Sequence, residues 1–123
     1  MIFKCPKHDI SASIEIGRNL KATIETGNKV SHLISIIYDF IPGDAGGTIE
    51  YFFSPEEAVE YNIHDPGVII TFNMDNDEDP PDPYEKAKKN MTIMCYKCFE
   101  DVYKSELSEL KNNRNKYKML KLG

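Results

Sequence analysis

Two short pairs of soft ligands sit near opposite ends of this chain: Cys5-Pro6-Lys7-His8 and Cys95-Tyr96-Lys97-Cys98. Each leaves two residues between its donors, the spacing at which a tight turn aims both side chains at one point. Together they use all three cysteines and one of the three histidines. Thiolate and imidazole suit a tetrahedral zinc ion, so Cys5, His8, Cys95 and Cys98 predict a closed, structural site of three cysteines and one histidine. A site of that kind ties the two ends together and encloses everything between them. His8 is the fourth ligand by spacing. Of the other histidines, His32 is expected on an apolar strand face as a hydrogen-bonded core residue, and His64 in a turn. The plain alternative is that the cysteines are ordinary, partly buried thiols.

The second pair falls where a strand-like stretch passes into a helical pattern, where free helix N–H groups and the positive dipole end favour thiolate. Phe3-Lys4-Cys5-Pro6-Lys7-His8 and Cys95-Tyr96-Lys97-Cys98-Phe99 resemble the knuckles of zinc-ribbon and treble-clef modules, whose second ligand pair commonly opens a helix. The resemblance is confined to the two ends. The 86 residues from Asp9 to Met94 form an interval far longer than compact zinc ribbons carry. Cys95-x-x-Cys98 at a helix start also fits a thioredoxin-like redox pair, but that reading requires a βαβ context, and the preceding pattern is antiparallel β.

Charge is segregated along the 123 residues, which read as one zinc-stabilised domain. Residues 39–82 hold twelve Asp or Glu and no Lys or Arg, inside a chain of net charge -5. Residues 83–123 hold ten basic and five acidic residues. The acidic span is either a binding face or is compensated internally by the basic tail. No apolar run reaches the length of a membrane span, and no long apolar leader opens the sequence. The odd cysteine count and ligand spacing point to a reducing compartment, the cytoplasm, or a host cytoplasm for a phage or mobile-element gene.

Periodicity predicts an α+β fold with an antiparallel sheet of about five strands. Ile10, Ala12, Ile14 and Ile16 alternate with polar residues, as do Leu20, Ala22 and Ile24, giving two strands joined at Gly17-Arg18-Asn19. Residues 30–41 read as a central strand buried on both faces, residues 48–53 as a fourth strand and residues 68–74 as a fifth. Ser54-Pro55-Glu56-Glu57 is a helix start, with Ser54 as N-cap, Pro55 at N1 and Glu57 closing a capping box. Asp82-Pro83 caps a short helix to Lys89, and residues 91–94 lead as a short strand into the second knuckle. Phe99, Tyr103, Leu107 and Leu110 share a helical face, so residues 99–123 read as an amphipathic, basic C-terminal helix suited to packing or self-association into a homo-oligomer.

No catalytic motif emerges. Asp75-x-Asp77-x-Asp79 begins like a calcium loop, but Pro80 and Lys86 stand where Gly and Glu are required. The zinc-deaminase pattern fails, since H-x-E is absent and Met94 precedes Cys95. Phosphate-binding, nucleophile-elbow and HExxH motifs are absent. A closed site leaves no coordination position for substrate. The leading expectation is a non-enzymatic adaptor or inhibitor that meets a protein partner through its acidic surface, with Asp75, Asp77, Glu78 and Asp79 as contacts. The first alternative is a nucleic-acid-binding regulator using Lys111, Arg114, Lys116 and Lys118. The second is an enzyme whose site one sequence does not reveal.

Overall fold

The computed structural model describes residues 2–41, 47–73 and 81–122. The acidic residues Asp75, Asp77, Glu78 and Asp79 lie outside the described residues. Strands β1 (Ile2–Cys5), β2 (Asp9–Gly17), β3 (Ile34–Ile41), β4 (Gly47–Phe53), β5 (Gly67–Asn73), β6 (Met91–Cys95) and β7 (Lys118–Leu122) alternate with helices α1 (Arg18–Glu25), α2 (Pro55–Tyr61), α3 (Glu85–Lys89) and α4 (Tyr96–Asn112). Strand order is β1-β2-β4-β3-β5-β7, with β6 on β2.

The sheet is mixed, which corrects the expectation of a purely antiparallel one. β1/β2, β2/β6 and β3/β4 run antiparallel, whereas β2/β4, β3/β5 and β5/β7 run parallel. The reason is connectivity. After the β3–β4 pairing, the chain crosses through α2 and adds β5 beyond β3. The excursion through α3, β6 and α4 then returns β7 beyond β5. Alternation along a strand reports which face is buried, not the direction of its neighbour.

β3 is the central strand, and its period of two feeds both cores. Ile34, Ile36 and Tyr38 enter a core with Phe53, Ala58, Val68, Ile70 and Ala87, under α2 and α3. Ile37, with Leu33 just before the strand, enters the other, with Ile14, Ile16, Leu20, Phe52, Phe99, Tyr103 and Leu110, under α1 and α4. The helical face read from the sequence is thus the buried face of α4. Complete burial of a side chain such as Phe99 contributes about 1.5–3 kcal/mol.

Three local expectations are overturned. Residues 18–25 form α1 rather than a second strand. Leu20 and Ile24 fit helical i,i+4 spacing as well as alternation, and the decisive groups are distant. Glu57 accepts from Asn19 N–H at 3.3 Å and Leu20 N–H at 3.3 Å, and the Asn90 carbonyl accepts from Arg18 N–H. Residues 30–33 precede β3 rather than belong to it. His32 there is half-exposed in a bend, its Nδ1 3.0 Å from Ser31 Oγ and its Nε2 4.0 Å from Asp65, and so is no core residue. The C-terminal helix ends at Asn112. A 3-10 turn over Arg114–Lys116 follows, and β7 then pairs with β5. Tyr117, expected on a helix, is buried with its hydroxyl 2.7 Å from Ser35 Oγ.

Glu57 is the buried hinge of this arrangement. It closes the α2 capping box read from the sequence, accepting from Ser54 N–H at 3.0 Å while Ser54 Oγ accepts from Glu57 N–H at 3.2 Å. The same carboxylate caps α1. A Cβ at Gly17 would run into it, so glycine is required there. Glu57→Ala removes the charged acceptor from three backbone donors and two helix starts. Urea denaturation is expected to show a loss of about 3 kcal/mol; a loss below about 1 kcal/mol would contradict the double capping role.

Candidate metal centre

β1 and β2 form a hairpin in which Cys5 pairs with Asp9, and Pro6, Lys7 and His8 make the turn. Asp9 takes a left-handed φ of 60°, which lets the chain reverse immediately after His8. Further along, β2 pairs with β6, placing Ser13 opposite Cys95. Cys95 ends β6 and is the N-cap of α4, and Cys98 lies in the first turn of that helix. β2 therefore holds both ligand pairs in one frame.

The four predicted residues converge. Their donor atoms all lie within 4.8 Å of one another. Cys5 Sγ is 3.4 Å from Cys98 Sγ and 3.7 Å from His8 Nδ1. His8 Nδ1 is 3.7 Å from Cys95 Sγ and 3.3 Å from Cys98 Sγ. A tetrahedral ion bonded at about 2.3 Å to sulfur and about 2.0 Å to nitrogen has ligand-to-ligand edges of roughly 3.5–3.8 Å. The cluster has that size. Because Cys98 lies beside Cys5, Cys95 and Cys98 are not an isolated dithiol. His64 is exposed in a turn, and neither it nor His32 belongs to the group.

The electrostatics of the donor set favour a cation. The His8 imidazole holds the Cys5 thiol down at about 6, helped by the backbone N–H groups of His8 and Lys7 and opposed by burial. Burial pushes Cys98 up to about 12, reinforced by Cys5 and Cys95 beside it. His8 is raised, first by Cys5 and then by Asp101, against burial. Packed this closely, the three thiols cannot all ionise unaided. A divalent ion removes the conflict by binding every donor in its deprotonated form.

One functional residue escaped the sequence reading. Asp101 Oδ2 lies 2.9 Å from His8 Nε2, the ring nitrogen facing away from the cluster. A carboxylate there selects the tautomer that presents Nδ1 to a metal and fixes the ring. The available signal was position: Asp101 is three residues after Cys98 on one helix, and so on the ligand face.

The residues read from the sequence as a basic helix fall on three successive elements. Lys111 lies on α4, Arg114 and Lys116 in the 3-10 turn and Lys118 at the start of β7. Arg114 Nη2 is 3.6 Å from Glu50 Oε2, and its guanidinium lies 5.3 Å from the centre of the Tyr117 ring. No described helix is long and apolar enough to cross a membrane. Comparison with protein-family models, with curated proteins and with solved structures finds no match to this chain.

Asp101→Asn should weaken metal binding about ten- to a hundredfold. Competition against a chromogenic chelator measures this, and an unchanged affinity would remove Asp101 from the site.

Proposed function

We propose that this protein is a non-enzymatic interaction module whose fold is held by structural zinc, acting as an adaptor or inhibitor of a protein partner. The observation that carries the zinc assignment is the closed cluster of Cys5, His8, Cys95 and Cys98, within 4.8 Å of one another where the β1–β2 turn meets the start of α4. Three thiolates and one imidazole favour zinc over oxygen-seeking cations, and four protein ligands leave no position for a substrate. The site would then serve stability.

Purified protein should contain one zinc per chain by elemental analysis. Structural zinc supplies about 10–16 kcal/mol of apparent folding free energy in small domains. Chelation, or Cys95→Ser, should therefore loosen the β1–β2 hairpin and the start of α4 and lower the melting temperature steeply. Verified metal removal without a change in melting temperature would refute a structural role.

The partner reading rests on the acidic span from Asp39 to Asp82. Part of its charge is used internally: Arg114 neighbours Glu50, and Lys88 Nζ lies 3.4 Å from Asp82 Oδ2. Glu56 and Glu60 remain exposed on the outer face of α2, flanking Val59, which is 81 % exposed. An apolar side chain between carboxylates suits a basic partner surface with an apolar centre. Neutralising Glu56 and Glu60 together with Asp75, Asp77, Glu78 and Asp79 should abolish partner capture from the native host while preserving the melting temperature. Capture that survives these substitutions would place the contact elsewhere. The nucleic-acid alternative requires a continuous basic helix, and α4 ends before Arg114, Lys116 and Lys118.

A further inference from the structure

β4 has one complete edge and one open edge. On the first, its pairing with β3 runs without a bulge from Ile34↔Phe53 to Phe40↔Gly47. On the second, Phe52 alone pairs, with Ile16 of β2. The direction of each main-chain group follows from β3. Ser35 donates its N–H to the Pro66 carbonyl at 3.2 Å, so the N–H and C=O of Ser35 point towards β5. Ser35 and Phe52 are therefore a non-hydrogen-bonded pair, and the N–H and C=O of Phe52 point away from β3. These directions alternate along a strand. Ile49 and Tyr51 thus serve the β3 ladder, while Thr48 and Glu50 aim their main-chain groups at the open edge. Among the described residues, no ladder or turn bond meets Thr48 or Glu50 on that side.

The open edge faces a cleft of about 270 Å³, where β2 and β4 part beyond the Ile16–Phe52 pairing. Ile14 and Glu15 of β2, Ile49, Glu50 and Tyr51 of β4 and Ile93 of β6 line it. Thr48 is exposed, Ile49 is 44 % exposed, and Glu50 and Tyr51 are half-buried, so this stretch of β4 is accessible. Open sheet edges are commonly blunted by lysine, proline or a bulge. β7, beyond β5, carries Lys118 and Lys121. β4 carries none of these devices, and its one charged side chain, Glu50, turns to Arg114. Main-chain donors and acceptors repeating at every second residue, roughly 7 Å apart, are complementary to another extended main chain. β2 bounds the cleft opposite β4. A single extended segment fits between them, whereas the edge of a folded sheet would bring its own neighbouring strand.

We propose that the open edge of β4 binds an extended segment of a partner protein by strand addition, the segment's main chain hydrogen-bonded to Thr48 and Glu50. Every second side chain of the segment is apolar and lies against Ile49, Tyr51 and Ile93. The inference rests on the reading of this protein as a protein-binding module, and it names the form in which the partner is held.

Amide hydrogen exchange on the full-length, metal-loaded protein, resolved by residue with NMR, tests the edge directly. In the free protein the amides of Thr48 and Glu50 should exchange quickly and those of Ile49 and Tyr51 slowly. Short peptides selected from a random displayed library should show β-branched or aromatic residues at alternate positions. Their binding should slow exchange at Thr48 and Glu50 at least about tenfold. Thr48→Pro removes a cleft-facing N–H and leaves the β3 ladder intact, so it should preserve the melting temperature and lower peptide affinity at least about tenfold. Ile49→Lys, at an exposed position, should do the same and keeps the test independent of one variant's folding. Slow exchange at Thr48 and Glu50 in the free protein overturns the proposal, because the edge is then already covered. Slow exchange that appears only as protein concentration rises overturns it too, because a second copy is then the occupant. Failure to enrich a consensus, or affinity unchanged in both variants, has the same consequence. Partner capture lost on neutralising the acidic residues but intact in both variants would remove the edge while leaving the protein-binding reading in place.

Discussion

The convergence of Cys5, His8, Cys95 and Cys98 is the constraint around which the rest of the chain is arranged. Bringing the first pair to the second demands that β1 and β2 form a tight hairpin and that β2 then run beside β6. β3, β4 and β5 are built within the interval between the ligand pairs and β7 follows it, all joined to β2 through the single parallel pairing of Ile16 with Phe52. That junction is short, whereas β3 pairs along its length with both β4 and β5. α4 and the shared core therefore bear more of the connection between the two parts of the sheet than β2–β4 hydrogen bonds do. Phe52, Phe99 and Tyr103 pack tilted against one another in series across this junction, with ring centres 5.1 and 5.3 Å apart.

Glu57 supplies the matching constraint on the other side of the junction. A carboxylate this deeply buried is tolerable only because backbone donors from two helix starts surround it. It belongs to α2 in sequence and organises α1 in space. The arrangement fixes where β2 ends, because Gly17 must pass against the carboxylate without a side chain. A hairpin ligand pair at the start of β2 and a shared helix cap at its end thus define that strand at both limits.

What was legible in the sequence was local. The ligand spacing, the Ser54–Glu57 box, the alternation of residues 34–41 and the buried face of α4 each depend on residues close in the chain. α1 was illegible because its cap comes from Glu57 and Asn90, far away in sequence. The C-terminal segment misled for a related reason. Tyr117, Met119 and Leu120 suit a helix or a strand, and the choice falls to the exposed edge of β5 and to the Ser35 hydroxyl that meets Tyr117. A Cβ at Gly67 would meet the Ser35 carbonyl and the Tyr117 ring, so the close approach of β5 and the C-terminal segment also depends on a residue that reads as an ordinary turn glycine. Asp101 was within reach of helical spacing, but its role needs the position of His8 in space.

The segregation of charge takes on a different meaning in three dimensions. Read linearly, the span from Asp39 to Asp82 is uniformly negative. Folded, Glu50 and Asp82 are drawn inward to Arg114 and Lys88, while Glu56 and Glu60 stay outside on α2. Burying Glu50 carries a desolvation cost, seen in its raised carboxyl pKa, which Arg114 and Ser35 only oppose. At 3.6 Å its contact with Arg114 is an ion pair without a hydrogen bond, and a partly buried pair of that kind contributes little stability by itself.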